Sequence, residues 1–382
     1  MKTLAAVLRE AGRPTPYATS QPLEIEELEV GPVGPGEVLV KISHAGICHS
    51  DLSVINGTRL RGLPLVMGHE ASGVIVETGS NVRRLNEGDH VVFSFVPPCG
   101  SCPPCIAGRP ALCRPGNEAN GAGTLLSGSR RFTDAGGQAL NHHSGVSAFS
   151  QYVVAAEESL IVVDAGLPLQ EAALFGCAVI TGVGAVFNSA QARPGSSLAV
   201  FGLGGVGLSA IMGARAAGAN PVIAVDIVES KLQLAKTLGA THIVNPTETD
   251  AVEAIRDITG GGADTVVESV GNEKVLAQAY AATGRGGTTV AVGLPHPDRQ
   301  FTVPAISLVA DERTVRGSYM GSAVPKRDVP KYIAMYQAGQ LPVDKLLTGT
   351  LGLDAINTGM DRLADGSAVR QMVDLSLPLS GQ

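Results

Sequence analysis

Three observations predict the fold class of this 382-residue chain: an α/β protein in which a twisted, β-barrel-like domain precedes a doubly wound parallel sheet. Short apolar runs punctuated by Gly and Pro fill residues 1–95, as in a strand-and-turn domain. Beyond Leu198, apolar runs alternate with segments of helical period, the pattern of parallel strands connected by helices. The chain is also too long for one hydrophobic core, while 44% hydrophobic and 16% charged residues describe a soluble globular protein.

The elements follow in order. The first apolar run stops at Arg9 and Glu10, too soon for the core of a signal peptide, and reads as a first strand in a cytoplasmic protein. No apolar run reaches the ~18 residues of a membrane span. The net charge of −7 comes from interspersed signs, which argues against nucleic-acid and anionic-membrane partners. Strands are expected at Glu37–Ser43, Gly73–Thr78 and Gly88–Phe93. The polar, Gly-rich stretch 117–147 predicts a long insert along a cleft rim. Phe149–Val154 returns to strand, Leu169–Phe175 is helical, and small residues from Gly176 begin the helix into the second domain. There, strands at 198–201, 222–226, 240–244, 264–268, 288–294 and 314–318 alternate with helices at 205–217, 229–238, 250–258 and 273–282. A helix at 329–338 and strands near 349–353 and 372–375 cannot extend that sheet in register and are expected to rejoin the first domain. The expected divisions are 1–178, 179–320 and 321–382.

The loop Gly202-Leu-Gly204-Gly205-Val206-Gly207 joins a buried strand to a helix, the context a dinucleotide site requires. Gly202 permits the tight turn, Gly204 lets the backbone approach a pyrophosphate, and Gly207 lets helix and strand pack closely. The helix N-terminus offers N–H groups to the anion. A second strand ends in Asp226, where a carboxylate binds ribose hydroxyls and repels a 2′-phosphate; NAD is therefore expected rather than NADP. Lys231, five residues on, lies near the same ribose or on a solvated helix face.

Six cysteines fall at 48, 99, 102, 105, 113 and 177. The spacing Cys99-x2-Cys102-x2-Cys105-x7-Cys113, within a lobe at 95–115, lets four thiolates surround one tetrahedral zinc ion, a closed and hence structural site. An iron–sulfur cluster and a disulfide pair are the competing readings.

Cys48-His49-Ser50-Asp51, Gly68-His69-Glu70, the four-cysteine lobe, Phe149-Ser-Gln-Tyr152, Gly176-Cys177, the glycine loop and Asp226 occur in the order and spacing of the zinc-dependent medium-chain alcohol dehydrogenases. The resemblance spans essentially the whole chain. It looks strongest to the long forms, which include the liver-type and glutathione-dependent formaldehyde dehydrogenases. It implies a GroES-like catalytic domain, a Rossmann domain, and two zinc ions per chain. The lobe would hold the structural zinc, and Cys48, His69 and Cys177 the catalytic one, with a fourth position left for water or substrate oxygen. Asp51 would orient His69, and Glu70 resembles a carboxylate that approaches the metal when the site loosens.

The implied reaction is interconversion of primary or secondary alcohols with aldehydes or ketones, by hydride transfer from a zinc-bound alkoxide to NAD. Ser50 resembles the hydroxyl that takes the alcohol proton. Many relatives end that relay with a histidine where this chain has Ser53, so water or another base is expected to finish it. His49 and Arg370 resemble pyrophosphate contacts. Thr181, Val292 and Leu294 resemble residues that press on the nicotinamide. Phe95 resembles an apolar pocket wall, whereas Arg59 and His143 stand where many relatives are apolar, which suggests an oxygenated or acidic alcohol. Glutathione-dependent relatives place an arginine at the position of Asn117, which lowers the thiol-adduct alternative. A non-catalytic zinc- and NAD-binding protein is a further alternative. A homodimer or homotetramer is expected by analogy, with the region Thr288–Ser318 as the partner edge.

Overall fold

The computed structural model describes residues 1–379, which divide into two compact units. The first is Met1–Cys177 with Val324–Pro330 and the described residues from Leu347; the second is Ala178–Ala323 with Lys331–Leu346. Among the described residues no helix is long and apolar enough to cross a membrane.

In the first unit, Lys2–Leu8 pairs with Leu23–Val30 and with Leu65–Val66. Phe132–Thr133 and Ala139–His142 close these strands into a barrel. The stretch 117–147 is therefore not an insert along a rim. It supplies a helix, Arg114–Ala122, and two barrel strands. Leu125, Phe132, Leu140 and Val146 are buried in the core of this unit, and burial of these apolar side chains draws the otherwise polar segment inward.

A second sheet is built on Glu37–Gly46. That strand pairs with Ala71–Thr78, with Tyr152–Ala156, and with the C-terminal strand Arg370–Asp374. Val38, Val40 and Ile42 on one face are buried, and on the other face Leu39 is buried while Lys41 is exposed, so one face lies in the core and the other is covered in part. The remaining strands of this sheet are His90–Phe93, Leu160–Val163 and Leu347–Gly352.

The second unit holds six parallel strands: Leu198–Phe201, Val222–Val225, His242–Val244, Ala263–Glu268, Thr283–Ala291 and Thr314–Gly317. Their spatial order is third, second, first, fourth, fifth, sixth. Order reverses between the first and fourth strands, which places a ligand crevice at the C-terminal end of the first strand. That strand and the second are wholly buried, as near-continuous apolar runs require in a parallel sheet. The α/β class, with a barrel domain and a doubly wound sheet, is thus the observed one.

Candidate active site

Cys48 ends the turn after the strand Glu37–Gly46 and caps a short helix, His49–Ile55. Asp51, at the third position of that helix, accepts the Cys48 N–H through Oδ2 at 3.1 Å. Its Oδ1 lies 2.8 Å from His69 Nδ1, and Asp51 is completely buried. His69 sits in the loop between Leu65–Val66 and Ala71–Thr78. With Nδ1 held by the carboxylate, Nε2 is the free ligand atom, and it lies 3.4 Å from Cys177 Sγ. Burial opposes a charge on His69, but Asp51 and Cys48 outweigh it and raise its pKa.

The ligand atoms of Cys48, His69 and Cys177 all lie within 4.8 Å of one another, and the three residues are buried. Two donors on one tetrahedral zinc ion, at about 2.3 Å for sulfur and 2.0 Å for nitrogen, stand roughly 3.5 Å apart, so this donor set fits zinc. A hydrogen bond from Cys177 holds the Cys48 thiol well below its usual pKa, with Arg370 adding to the effect. The same interaction raises Cys177. One thiolate is therefore favoured before any ion arrives.

Arg370 and Glu70 form a buried ion pair beside this cluster, and Arg370 also donates to the Ile47 carbonyl at 3.2 Å. Burial pushes the Glu70 carboxyl up to about 7, against the opposing pull of Arg370. His143 is buried as well. Its Nδ1 lies 3.3 Å from Asp51 Oδ1, and its ring meets that of His69 edge-on at 5.5 Å. Phe95 also packs edge-on against the His69 ring, 5.7 Å away. Ser50 is half-buried in the first turn of the short helix, and His49 is exposed beside it. Ser53 donates to the His49 carbonyl at 2.8 Å, so its hydroxyl proton is held within the helix. Arg59 is half-buried, and its backbone N–H donates to the Ser53 carbonyl.

The second cysteine cluster is the lobe. Cys99, Cys102, Cys105 and Cys113 bring their sulfurs within 4.8 Å of one another, and Cys102 and Cys113 Sγ are 3.9 Å apart. All six cysteines are free thiols, so the disulfide reading does not hold. Backbone N–H groups of Cys99 and Gly116 point at Cys113 Sγ at 3.2 and 3.4 Å. Burial opposes ionisation of Cys99, yet N–H donors from Ser101 and Cys102 lower its pKa to about 6, while burial pushes Cys105 up to about 12. Asn117 Nδ2 donates to the Cys113 carbonyl at 2.7 Å, which ties it to the lobe.

In the second unit, Gly202 has φ +87°, and a Cβ there would come 2.6 Å from Val270. A Cβ on Gly207 would run into the Gly202 carbonyl oxygen, whereas Gly204 faces open space. The loop thus leaves a cleared approach over Gly204 to the start of the helix Gly205–Ala216, the cradle a pyrophosphate needs. Asp226 accepts the Leu203 N–H at 2.7 Å and the Val228 N–H at 2.9 Å. Lys231 is half-buried in the helix Glu229–Leu238. Thr181 and Val292 are buried, and Leu294 is exposed.

Sequence reasoning named both Glu70 and Arg370 without pairing them, and it missed the contact of His143 with Asp51. Glu268 was also missed. This buried carboxylate accepts the N–H groups of Val270 and Gly271 at 2.8 and 2.7 Å. Its one available signal was its place at the end of a predicted parallel strand beside the glycine loop.

A barrel domain carrying one cysteine–histidine cluster and a four-cysteine lobe, together with a nucleotide-type parallel sheet, defines a zinc-binding dehydrogenase. Residues 34–165 match the alcohol dehydrogenase GroES-like domain, and residues 205–338 match the zinc-binding dehydrogenase family. A Mycobacterium tuberculosis (strain H37Rv) relative carrying the name alcohol dehydrogenase D is 39% identical, over 98% of this chain and 100% of its own. S-(hydroxymethyl)glutathione dehydrogenase of Synechocystis (strain PCC 6803) is 37% identical, with the same coverage of both chains. The crystal structure of benzyl alcohol dehydrogenase from Acinetobacter calcoaceticus superposes with a TM-score of 0.89 at 34% identity, over 98% of this chain and 100% of that one. The chain therefore belongs to the zinc-dependent medium-chain alcohol dehydrogenase family. It is an oxidoreductase that works with zinc and a nicotinamide cofactor on small alcohols or aldehydes.

Proposed function

We propose that the protein is an NAD-linked dehydrogenase of primary alcohols, with two zinc ions per chain. The observation that carries this reading is the convergence of Cys48, His69 and Cys177 donor atoms in one buried cluster, with His69 oriented by Asp51. A zinc ion held by Cys48, His69 and Cys177 would supply Lewis acidity toward the alcohol or aldehyde oxygen, and a nicotinamide held over the glycine loop would supply the hydride acceptor or donor.

The chain's own groups supply the rest. Asp51 fixes the His69 tautomer with Nδ1–H toward the carboxylate, leaving Nε2 as ligand. Ser50 takes the alcohol proton through its hydroxyl. Ser53 holds its own proton against the helix carbonyl, so water completes the relay. Phe95 and His143 flank His69 and shape the alcohol pocket, with Arg59 on the nearby loop. Glu70, paired with Arg370, balances charge beside the thiolates. Asp226 accepts ribose hydroxyls and excludes a 2′-phosphate, which supports NAD over NADP. The protein works as a homodimer or homotetramer; the exposed sixth strand, Thr314–Gly317, supports a partner edge there.

The test is NADH absorbance growth with zinc-loaded protein across simple, aromatic and carboxylate-bearing primary alcohols, with NADP in parallel and zinc counted per chain. Turnover with NAD that disappears in Cys48→Ala supports the reading. Turnover only with NADP, or activity that survives in Cys48→Ala, overturns it. The second reading is a thiol-adduct formaldehyde dehydrogenase, favoured by the Synechocystis relative and opposed by Asn117, which is tied to the lobe backbone. Formaldehyde oxidation that requires added glutathione would establish it instead.

A further inference from the structure

Ser269 follows the last residue of the strand Ala263–Glu268. Its N–H donates to the Phe201 carbonyl at 2.9 Å. Its hydroxyl lies 3.0 Å from the Gly202 carbonyl oxygen and 3.2 Å from that of Phe201. A Cβ on Gly207 would come 2.8 Å from this hydroxyl, and one on Gly202 would come 3.2 Å from it. The Ser269 Oγ thus occupies the junction of the strand end, the Gly202 turn and the first turn of the following helix.

The Gly202 carbonyl and the Leu203 N–H belong to one peptide group. Asp226 holds its N–H end at 2.7 Å, and Ser269 holds its carbonyl end. That peptide precedes Gly204, the cap of the helix whose N–H groups face the anion. Ser269 is itself fixed. The Glu268 carboxylate accepts the next two N–H groups, and the Glu268 carbonyl accepts those of Val292 and Gly293 at 2.8 and 3.0 Å.

We propose that Ser269 is a positioning residue for the dinucleotide: its hydroxyl locks the Gly202–Leu203 peptide opposite Asp226, so that the loop is in its binding conformation before the cofactor arrives. The proposal rests on the nicotinamide-dinucleotide reading of this loop. A peptide clamped at both ends loses no freedom on binding, so the hydroxyl acts on cofactor affinity and leaves the chemical step alone.

The experiment measures NADH binding by nucleotide fluorescence on zinc-loaded wild type, Ser269→Ala and Ser269→Thr, with zinc content and Tm recorded for each. Ser269→Ala is expected to raise the NADH Kd by about five- to twentyfold, the effect of one lost hydrogen bond at a partly buried carbonyl. The kcat at saturating NAD stays within about twofold. Ser269→Thr, which keeps the hydroxyl, recovers most of the affinity. Wild-type affinity in Ser269→Ala overturns the proposal. So does Ser269→Thr binding as weakly as Ser269→Ala at unchanged Tm, because shape rather than the hydroxyl would then matter. If Ser269→Ala does not fold, Ser269→Cys replaces it: its weaker donor must bind NADH less tightly than Ser269→Thr, and equal affinity overturns the proposal. Wild type that binds NADPH in place of NADH refutes the NAD assignment alone, and the same comparison with NADPH still decides Ser269. Wild type that binds neither refutes both.

Discussion

Asp51→Asn replaces a carboxylate that hydrogen-bonds two groups and lies beside a third. Oδ1 faces His69 Nδ1 at 2.8 Å and His143 Nδ1 at 3.3 Å, and Oδ2 accepts the Cys48 N–H at 3.1 Å. An amide has a single acceptor oxygen, so it can serve the histidines or Cys48 but not both. If it keeps His69, a charge-assisted bond becomes a neutral one, a loss of about 1 kcal/mol, and the Cys48 N–H faces an NH2 group, which adds about 1–2 kcal/mol for a buried donor left unmade. The sum of about 2–3 kcal/mol falls on two of the three residues proposed to hold the catalytic zinc. It corresponds to a roughly 30- to 150-fold weaker catalytic zinc site. Competition with a graded chelator reads this directly, because the four-cysteine lobe is untouched by the substitution and serves as the control. One zinc per chain should leave at much lower chelator concentration in Asp51→Asn than in wild type, and dehydrogenase activity should fall with it. Identical chelator curves for both proteins would refute the assignment of Asp51 as the group that orients the site.

Two further predictions follow from carboxylate and imidazole placement. In Asp226→Ala the Leu203 and Val228 N–H groups lose their acceptor, so KM for NAD should rise about tenfold or more without a matching gain for NADP. Asp226→Asn keeps one acceptor and should shift the NADP/NAD ratio of kcat/KM further; initial rates with both cofactors decide, and a full gain of NADP activity in the alanine variant would contradict the loop-holding role. His142 is buried against Phe132, accepts the Arg131 N–H at 3.1 Å, and is lowered to about 3 by burial and then by Arg130 and Arg131. A histidine whose folded pKa is depressed contributes stability above its unfolded pKa of about 6.5, and that stability is lost as pH falls toward 3. Between pH 7 and pH 5 this one group should remove about 2 kcal/mol. His142→Gln retains an acceptor without the titration, so its denaturant midpoint should fall less over that interval; an equal fall in both proteins would refute the argument.

What could be read from the sequence depended on how local and how chemically restrictive each feature is. The lobe was legible because four cysteines within fifteen positions admit few arrangements. The glycine loop was legible because Gly202 takes φ +87° and Gly207 has no room for a Cβ, constraints that only glycine meets without strain. The barrel strands within 117–147 were hidden because they are two and four residues long, and their buried residues, Phe132, Leu140 and His142, are too few to show a period of two. The helix His49–Ile55 was hidden by its length of seven residues, although Asp51 three positions after Cys48 is the spacing of a capping box. The pairing of Glu70 with Arg370 bridges 300 residues, and no periodicity reports such a contact. Ser269 was invisible for a different reason: a serine after a strand is ordinary until the carbonyls it faces are known.

The two sites share a physical device, and it predicts where mutational effects will appear. Asp51 uses one oxygen on the N–H of Cys48 and the other on His69, both in the buried cluster proposed to hold zinc. Asp226 uses one oxygen on the N–H inside the glycine loop and the other on the N–H of Val228. In each case a carboxylate fixes backbone next to the group that meets the ligand, so the conformational cost is met during folding rather than on binding. Loss of either carboxylate should therefore weaken retention of zinc or dinucleotide more than it slows turnover of molecules that hold both. Ser50 is the contrasting case: it is half-buried and takes no part in holding backbone through any of these bonds, and its assigned work is proton transfer. Ser50→Ala should therefore lower kcat while zinc content and NADH affinity stay at wild-type values, and a loss of zinc or NADH instead would place Ser50 among the positioning groups.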